Sequence, residues 1–261
     1  MEPRVTFTVA DGVADIRLSR PDRMNALDPA MFEALIAAGE QLKTERGVRA
    51  AVLSGEGKGF CAGLDMEVMG SGGATLAKLF TGPRTAGGAN GVQQAALVWR
   101  EAPVPVICAV HGVALGGGLQ VALGCDVRLV SADAKLCLME VRWGLVPDMG
   151  AMTLLKGLVR DDVARELVLT ARTVSGEEAV ALGLATRVSA DPRAEALGLA
   201  REIASKSPTA VRAAKRLLNL DGDPTTILQA ESREQAALLG SADQVEAVSA
   251  NLGKRPPRFA D

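Results

Sequence analysis

From Ala102 to Cys125 the chain carries no charged residue, and within this run "VHGVALGGGLQVALGC" sets three consecutive glycines, Gly116, Gly117 and Gly118, ahead of a helical pattern. An uncharged stretch of that length either spans a membrane or lies in the middle of a core. Pro103, Pro105, His111, Gln120 and five glycines interrupt it, which rules out one continuous spanning helix. A buried strand over "VPVICAV", a turn and a buried helix account for it better. Glycine at a helix start raises the entropic cost of ordering. The position therefore serves either a tight strand–helix crossing or chemistry that needs bare backbone.

With 261 residues, 48% of them hydrophobic, the chain can bury a substantial core as one domain, or as one domain with a helical extension. A formal net charge of -2 and 3% aromatic residues argue against nucleic-acid binding. Cys61, Cys108, Cys125 and Cys137 lack CxxC spacing and lie in or beside apolar segments, as reduced thiols of a core do. The segment "MEPRVTFTVADGVADIRL" has no apolar signal core and no Arg/Ser-rich presequence, so a cytoplasmic protein with no membrane association is expected.

Along the chain, "VTFTVADGVADIRLSR" predicts a hairpin about Asp11-Gly12. "NALDPAMFEALIAAGEQLKTE" predicts a helix capped by Asp28, with Pro29 at its first position. "AAVLSGEG" reads as a strand, Glu67 to Asn90 as mostly loop, and "GVQQAALVWREA" as a helix. "DVRLVS" and "AKLCLME" read as strands, the second ending at Glu140. From Met149 the pattern is helical, with a capping box at Ser175 and Glu178, a short strand "ATRVS", and helices from Arg193 to Leu252. The shift to helix near residue 190 divides the chain into 1–190 and a helical region, 191–261, suited to docking or assembly.

His111 is the only histidine, which removes HExxH and multi-histidine metal sites, and no GxSxG elbow is present. "GEGKGFCAG" fails the GxGxxG and P-loop patterns. Backbone amides and carboxylates remain. "GKGFCAGLD" and "ALGGGLQ" each leave N–H groups unobstructed after a strand, where an anionic oxygen can bind. Glu140 and Asp148, separated by the turn "RWGLVPD", can flank one small cavity. Taken singly, each feature also has a packing explanation: a crossing, a turn, a cap or a surface ion pair.

The order of these features resembles the crotonase superfamily, the enoyl-CoA hydratase/isomerase family. The resemblance is carried by "RPDRMNALD", "GKGFCAGLDM", "AVHGVALGGGLQVALGCDVRL", "EVRWGLVPDMGAM" and "NLGKRPPRF", and runs across nearly the whole chain. It implies an α/β fold, a spiral of repeated strand-strand-helix units with a C-terminal helical region. Residues 1–190 would hold the active site, and 191–261 would assemble a homotrimer, or a hexamer made as a dimer of trimers. The substrate would be an acyl-CoA thioester, with no metal or redox cofactor. The N–H groups of Ala62 and Gly117 would form an oxyanion hole for a thioester enolate. Coenzyme A would lie against Met24, Ala26, Leu27, the backbone of Ala62, Gly63, Leu64 and Asp65, and Lys254, the last from a neighbouring subunit.

Two departures bear on the reaction. Gln120 stands where the family's hydratases have a second glutamate, and it cannot titrate. The spacing Glu140-x7-Asp148 resembles the family's dienoyl-CoA isomerases, which nevertheless carry an aspartate at the position of Gln120. The expectation is a double-bond shift in an enoyl- or dienoyl-CoA. Glu140 and Asp148 would move the proton, their acid and base roles left open, and Gln120 would orient substrate or water. Hydration with Glu140 as sole titrating base is the alternative within the family. A non-catalytic acyl-CoA binder or assembly subunit is the alternative from another class.

Overall fold

The expected hairpin forms from β1 (Val5–Ala10) and β2 (Val13–Leu18), which pair antiparallel around Asp11-Gly12 in the computed structural model; the structure describes residues 3–70 and 76–260. The helix α1 (Pro29–Thr44) starts where its cap predicts, with the Asp28 carboxylate accepting from the Met31 N–H at 2.8 Å. β3 (Ala50–Gly55), β4 (Val106–Val110) and β6 (Val127–Val130) then add to β2 as successive parallel strands, and β9 (Arg187–Val188) closes the row. Strands buried on both faces need continuous apolar runs, and "VICAV" supplies the central one.

A second, smaller sheet holds the site. β5 (Val113–Leu115) pairs parallel with β7 (Lys135–Cys137), which pairs antiparallel with β8 (Val174–Ser175). Two strand-strand-helix units are thereby laid down in succession. The first is β4, β5 and α5 (Gly117–Leu123). The second is β6 and β7, followed by α6 (Ala151–Leu154), α7 (Asp161–Thr170) and α8 (Gly176–Leu182). Between β3 and β4 lie α2 (Met66–Gly70), α3 (Ala77–Thr81) and α4 (Gly91–Glu101).

The sequence reading is corrected in three places. The strand expected to end at Glu140 stops at Cys137, because its partner β5 ends at Leu115 and the chain there turns into α5. Glu140 instead opens a 3-10 turn, Glu140–Trp143. The segment expected as loop from Glu67 contains α2 and α3, since Val68 and Leu76 are buried against the core and Asp65 caps α2. Residues 71–75 of that segment lie outside the described residues. The capping box at Ser175 forms only by half: Ser175 Oγ accepts from the Glu178 N–H, while the Glu178 carboxylate pairs with Arg172.

At the division near residue 190 the packing is continuous. The helix α9 (Pro192–Ala204) lays Ala196, Ala200 and Ala204 on the six-stranded sheet, against Val52, Ile107 and Leu129. The helix α10 (Pro208–Leu218) inserts Lys215, whose buried Nζ donates to Trp99 O, Val104 O and the Asp126 carboxylate. Composition changes at 190, but packing does not. The helices α11 (Pro224–Leu238) and α12 (Ala242–Leu252) pack on α10 through Arg216–Glu234 and the Asp243–Thr209 hydrogen bond, and expose Leu228, Leu239, Val245, Val248 and Leu252 along or beside them. Among the described residues no helix is long and apolar enough to cross a membrane.

Candidate active site

Three segments meet at the ends of β3 and β4. The first is the bend "RMNAL", where Met24 and Asn25 both take left-handed backbone (φ 47° and 56°). Asn25 is fully buried: its side-chain N–H groups reach Glu56 O, Gly59 O and Phe60 O at 2.9–3.0 Å, and its Oδ1 accepts from the Arg20 N–H. The second is "FCAGLD". It runs beside β5, with Cys61 N–H donating to Val113 O and Leu115 N–H to Cys61 O. Gly63 (φ 87°) crosses so closely that a Cβ would sit 2.5 Å from the Leu115 oxygen. The third is the triple glycine opening α5.

Accounting for the N–H groups of the second segment identifies the open donor. Ala62 N–H donates to Met24 O at 2.9 Å and Asp65 N–H to Leu27 O at 3.0 Å, while Gly63 O accepts from Leu27 N–H at 2.8 Å. Among the described residues, Leu64 N–H is left without an acceptor. Ala62 is the donor the resemblance implied; its amide is engaged by Met24 O, and the open N–H of this segment is that of Leu64. At the third segment, Gly116 N–H is held by Cys137 O, and Gly117 N–H, in the uncapped first turn of α5, has no acceptor among the described residues. The Cys61–Ala114 bridge locks the two bends side by side, and Leu64 and Gly117 line one cavity of about 730 Å³.

The polar side chains of that cavity form a fixed chain. Gln120 is fully buried, and its Oε1 accepts from Met149 N–H (2.8 Å) and Ala151 N–H (3.3 Å). This fixes the carboxamide so that Nε2 donates to Glu140 Oε1 at 2.7 Å. Glu140 Oε2 is buried and has no partner among the described residues. Burial holds the Glu140 carboxyl above its ordinary value, outweighing hydrogen bonds from its own backbone and from Gln120; the charge of Asp148 adds a smaller push. Burial likewise raises Asp148, which lines the same cavity.

Of the residues singled out in the sequence, Leu27, Ala62, Gly63, Leu64, Gly117, Gln120, Glu140 and Asp148 border the cavity. Met24, Ala26 and Asp65 do not. Asp65 is spent internally: it pairs with Arg20 at 2.5 Å and caps α2 through the Glu67 N–H at 2.9 Å. Lys254 lies on the exposed C-terminal segment, away from the cavity lining of its own chain. Gly116 faces Glu140: with φ 50°, a Cβ there would stand 3.3 Å from Glu140 Oε1. Sequence reading also passed over Asn25 and the inner wall of Phe32, Val68, Leu76 and Val92. Nothing in an amphipathic helix pattern separates a wall residue from any other core residue.

The sequence matches the Enoyl-CoA hydratase/isomerase family over residues 8–261. It is 34% identical over 258 residues to the probable enoyl-CoA hydratase echA6 of Mycobacterium leprae, covering 98% of each chain. It is 34% identical over 260 residues to the peroxisomal Delta(3,5)-Delta(2,4)-dienoyl-CoA isomerase of Arabidopsis thaliana, covering 93% of this chain and 91% of that protein. The enoyl-CoA hydratase structure from Bacillus anthracis superposes with a TM-score of 0.90 at 29% identity, covering 98% of both chains. The fold and these matches define a crotonase-type enzyme. The chain belongs to the enoyl-CoA hydratase/isomerase family.

Proposed function

We propose that this enzyme shifts a double bond in an enoyl- or dienoyl-CoA. The observation that carries the reading is the buried, unpartnered Glu140 Oε2 in the same cavity as two open backbone N–H groups and a second carboxylate, Asp148. Removing a proton from C2 moves charge onto the thioester oxygen. Leu64 N–H and Gly117 N–H receive it, each donor being worth roughly 10²–10³ in rate. Glu140 lies against Gly116, one residue before a donor, which suits it to take the C2 proton. Asp148 returns a proton at the far end of the conjugated system. No second base stands at Gln120, whose carboxamide does not titrate; its oxygen is held by two backbone N–H groups.

One observation favours hydration as a second reading: Gln120 Nε2 has a further N–H, beyond the one given to Glu140, that can hold a water. Purified enzyme offered 3-enoyl- or 3,5-dienoyl-CoA should generate the conjugated thioester absorbance, and Glu140→Gln should abolish this. Rapid Glu140-dependent loss of crotonyl-CoA absorbance would instead establish the hydratase. Full isomerisation by Asp148→Ala would remove the paired-carboxylate step. Acyl-CoA binding with no turnover of any enoyl substrate would leave a carrier or assembly subunit.

A further inference from the structure

We infer that the cavity accepts only acyl chains that are neutral and apolar along their length, and rejects chains that end in a carboxylate. The inference rests on the reading that an acyl-CoA occupies this cavity. Phe32, Val68, Leu76 and Val92 form its buried inner wall, each 4% exposed or less. The ionisable groups among its lining residues are Glu140 and Asp148, both acids, and no Lys, Arg or His is among the described lining residues. Residues 71–75, outside the described set, are Ser, Gly, Gly, Ala and Thr and supply no cation either. The nearby Arg20 is committed to Asp65, Asp28 and Ala26 O.

A carboxylate could otherwise be held by a helix N-terminus, but those beside the cavity are already occupied. Asp28 caps α1, Asp65 caps α2, and Asn90 with Gln93 closes α4 as a reciprocal capping box. Gln120 Oε1 takes the N–H groups of Met149 and Ala151 at the start of α6. The start of α3 has no side-chain cap, but that helix is five residues long and begins beside apolar Leu76. The open start of α5 is the Gly117 donor itself, committed to the thioester oxygen. A terminal carboxylate would therefore be buried unpaired, facing two acids.

Isothermal titration of the full-length enzyme with pentanoyl-CoA and glutaryl-CoA, equal in acyl carbons, tests this. Pentanoyl-CoA should bind at least about 100-fold more tightly, as rejection of a charged group by an apolar site exceeds that of a merely polar one. Phe80→Arg adds a cation on a lining residue that is 40% exposed and so tolerates charge; it should shrink the ratio by about tenfold. Equal binding of the two esters to the wild type overturns the inference while leaving the acyl-CoA reading intact. A ratio unmoved by Phe80→Arg makes the rejection steric and also overturns it. Binding of neither ester overturns the underlying reading and this inference with it.

Discussion

The three consecutive glycines, Gly116, Gly117 and Gly118, meet different neighbours, and their substitution should separate them. Gly116→Ala puts a Cβ in left-handed backbone and against Glu140 Oε1, so about 1–2 kcal/mol of stability should be lost together with most of kcat. Gly118→Ala drives a Cβ to 2.6 Å from the Cys61 backbone oxygen, which cannot yield without opening the junction between the two bends. Urea denaturation should show Gly118→Ala as the more destabilised of the two. Gly117→Ala meets Met149 Sδ at 2.7 Å and Leu27 Cδ1 at 2.8 Å, the first a flexible side chain, so the protein should fold with an altered cavity. Glu140 adds a pH signature. A base held above its ordinary value makes kcat/KM rise with pH through that raised value. The same carboxyl is harder to ionise folded than unfolded. Folded stability therefore falls as pH climbs from the ordinary glutamate range through the raised pKa. Glu140→Gln should abolish turnover while its Tm at neutral pH equals or exceeds that of the wild type.

Among the elements, the bend "RMNAL" fixes the donor geometry, and Asn25 holds it. Asn25→Ala leaves three carbonyls and one N–H without their partner and should cost about 3 kcal/mol, read as a lowered urea midpoint with unchanged slope. Lys215→Met takes the cation from the Asp126 carboxylate, which keeps its hydrogen bond from Val106 N–H, and leaves two carbonyls beneath α10 unpaired; a similar loss of about 3 kcal/mol is expected from the same measurement. These elements also show what a sequence can and cannot reveal. The hairpin at Asp11-Gly12, the Asp28 cap and the glycine-opened α5 follow from local rules, and they were legible. Which amide of "FCAGLD" stays open was not. The answer depends on Met24 O and Leu27 O, carbonyls some forty residues earlier that no local pattern places opposite Ala62 and Asp65. Glu140 and Asp148 could be named from spacing, whereas Phe32 and Val92 were hidden because wall and core share one apolar pattern.

At the scale of the whole molecule, α9 and α10 complete the core, and α11 and α12 leave apolar residues in water. We propose that they are buried between copies; the homotrimer or hexamer that the resemblance implies then gives a mass in solution of three or six times 27.0 kDa, measurable by light scattering. Leu228→Lys on α11 should reduce it to the monomer mass without unfolding the core. The proposed reaction rests on one arrangement, in which Leu64 and Gly117 would present their N–H groups to a single oxygen. A crystal structure with a saturated acyl-CoA bound tests that arrangement most directly. The thioester oxygen should lie about 2.7–3.1 Å from both nitrogens, with Glu140 Oε2 the carboxylate oxygen nearest C2. An oxygen seated elsewhere, or held by an Ala62 N–H released from Met24, would contradict it.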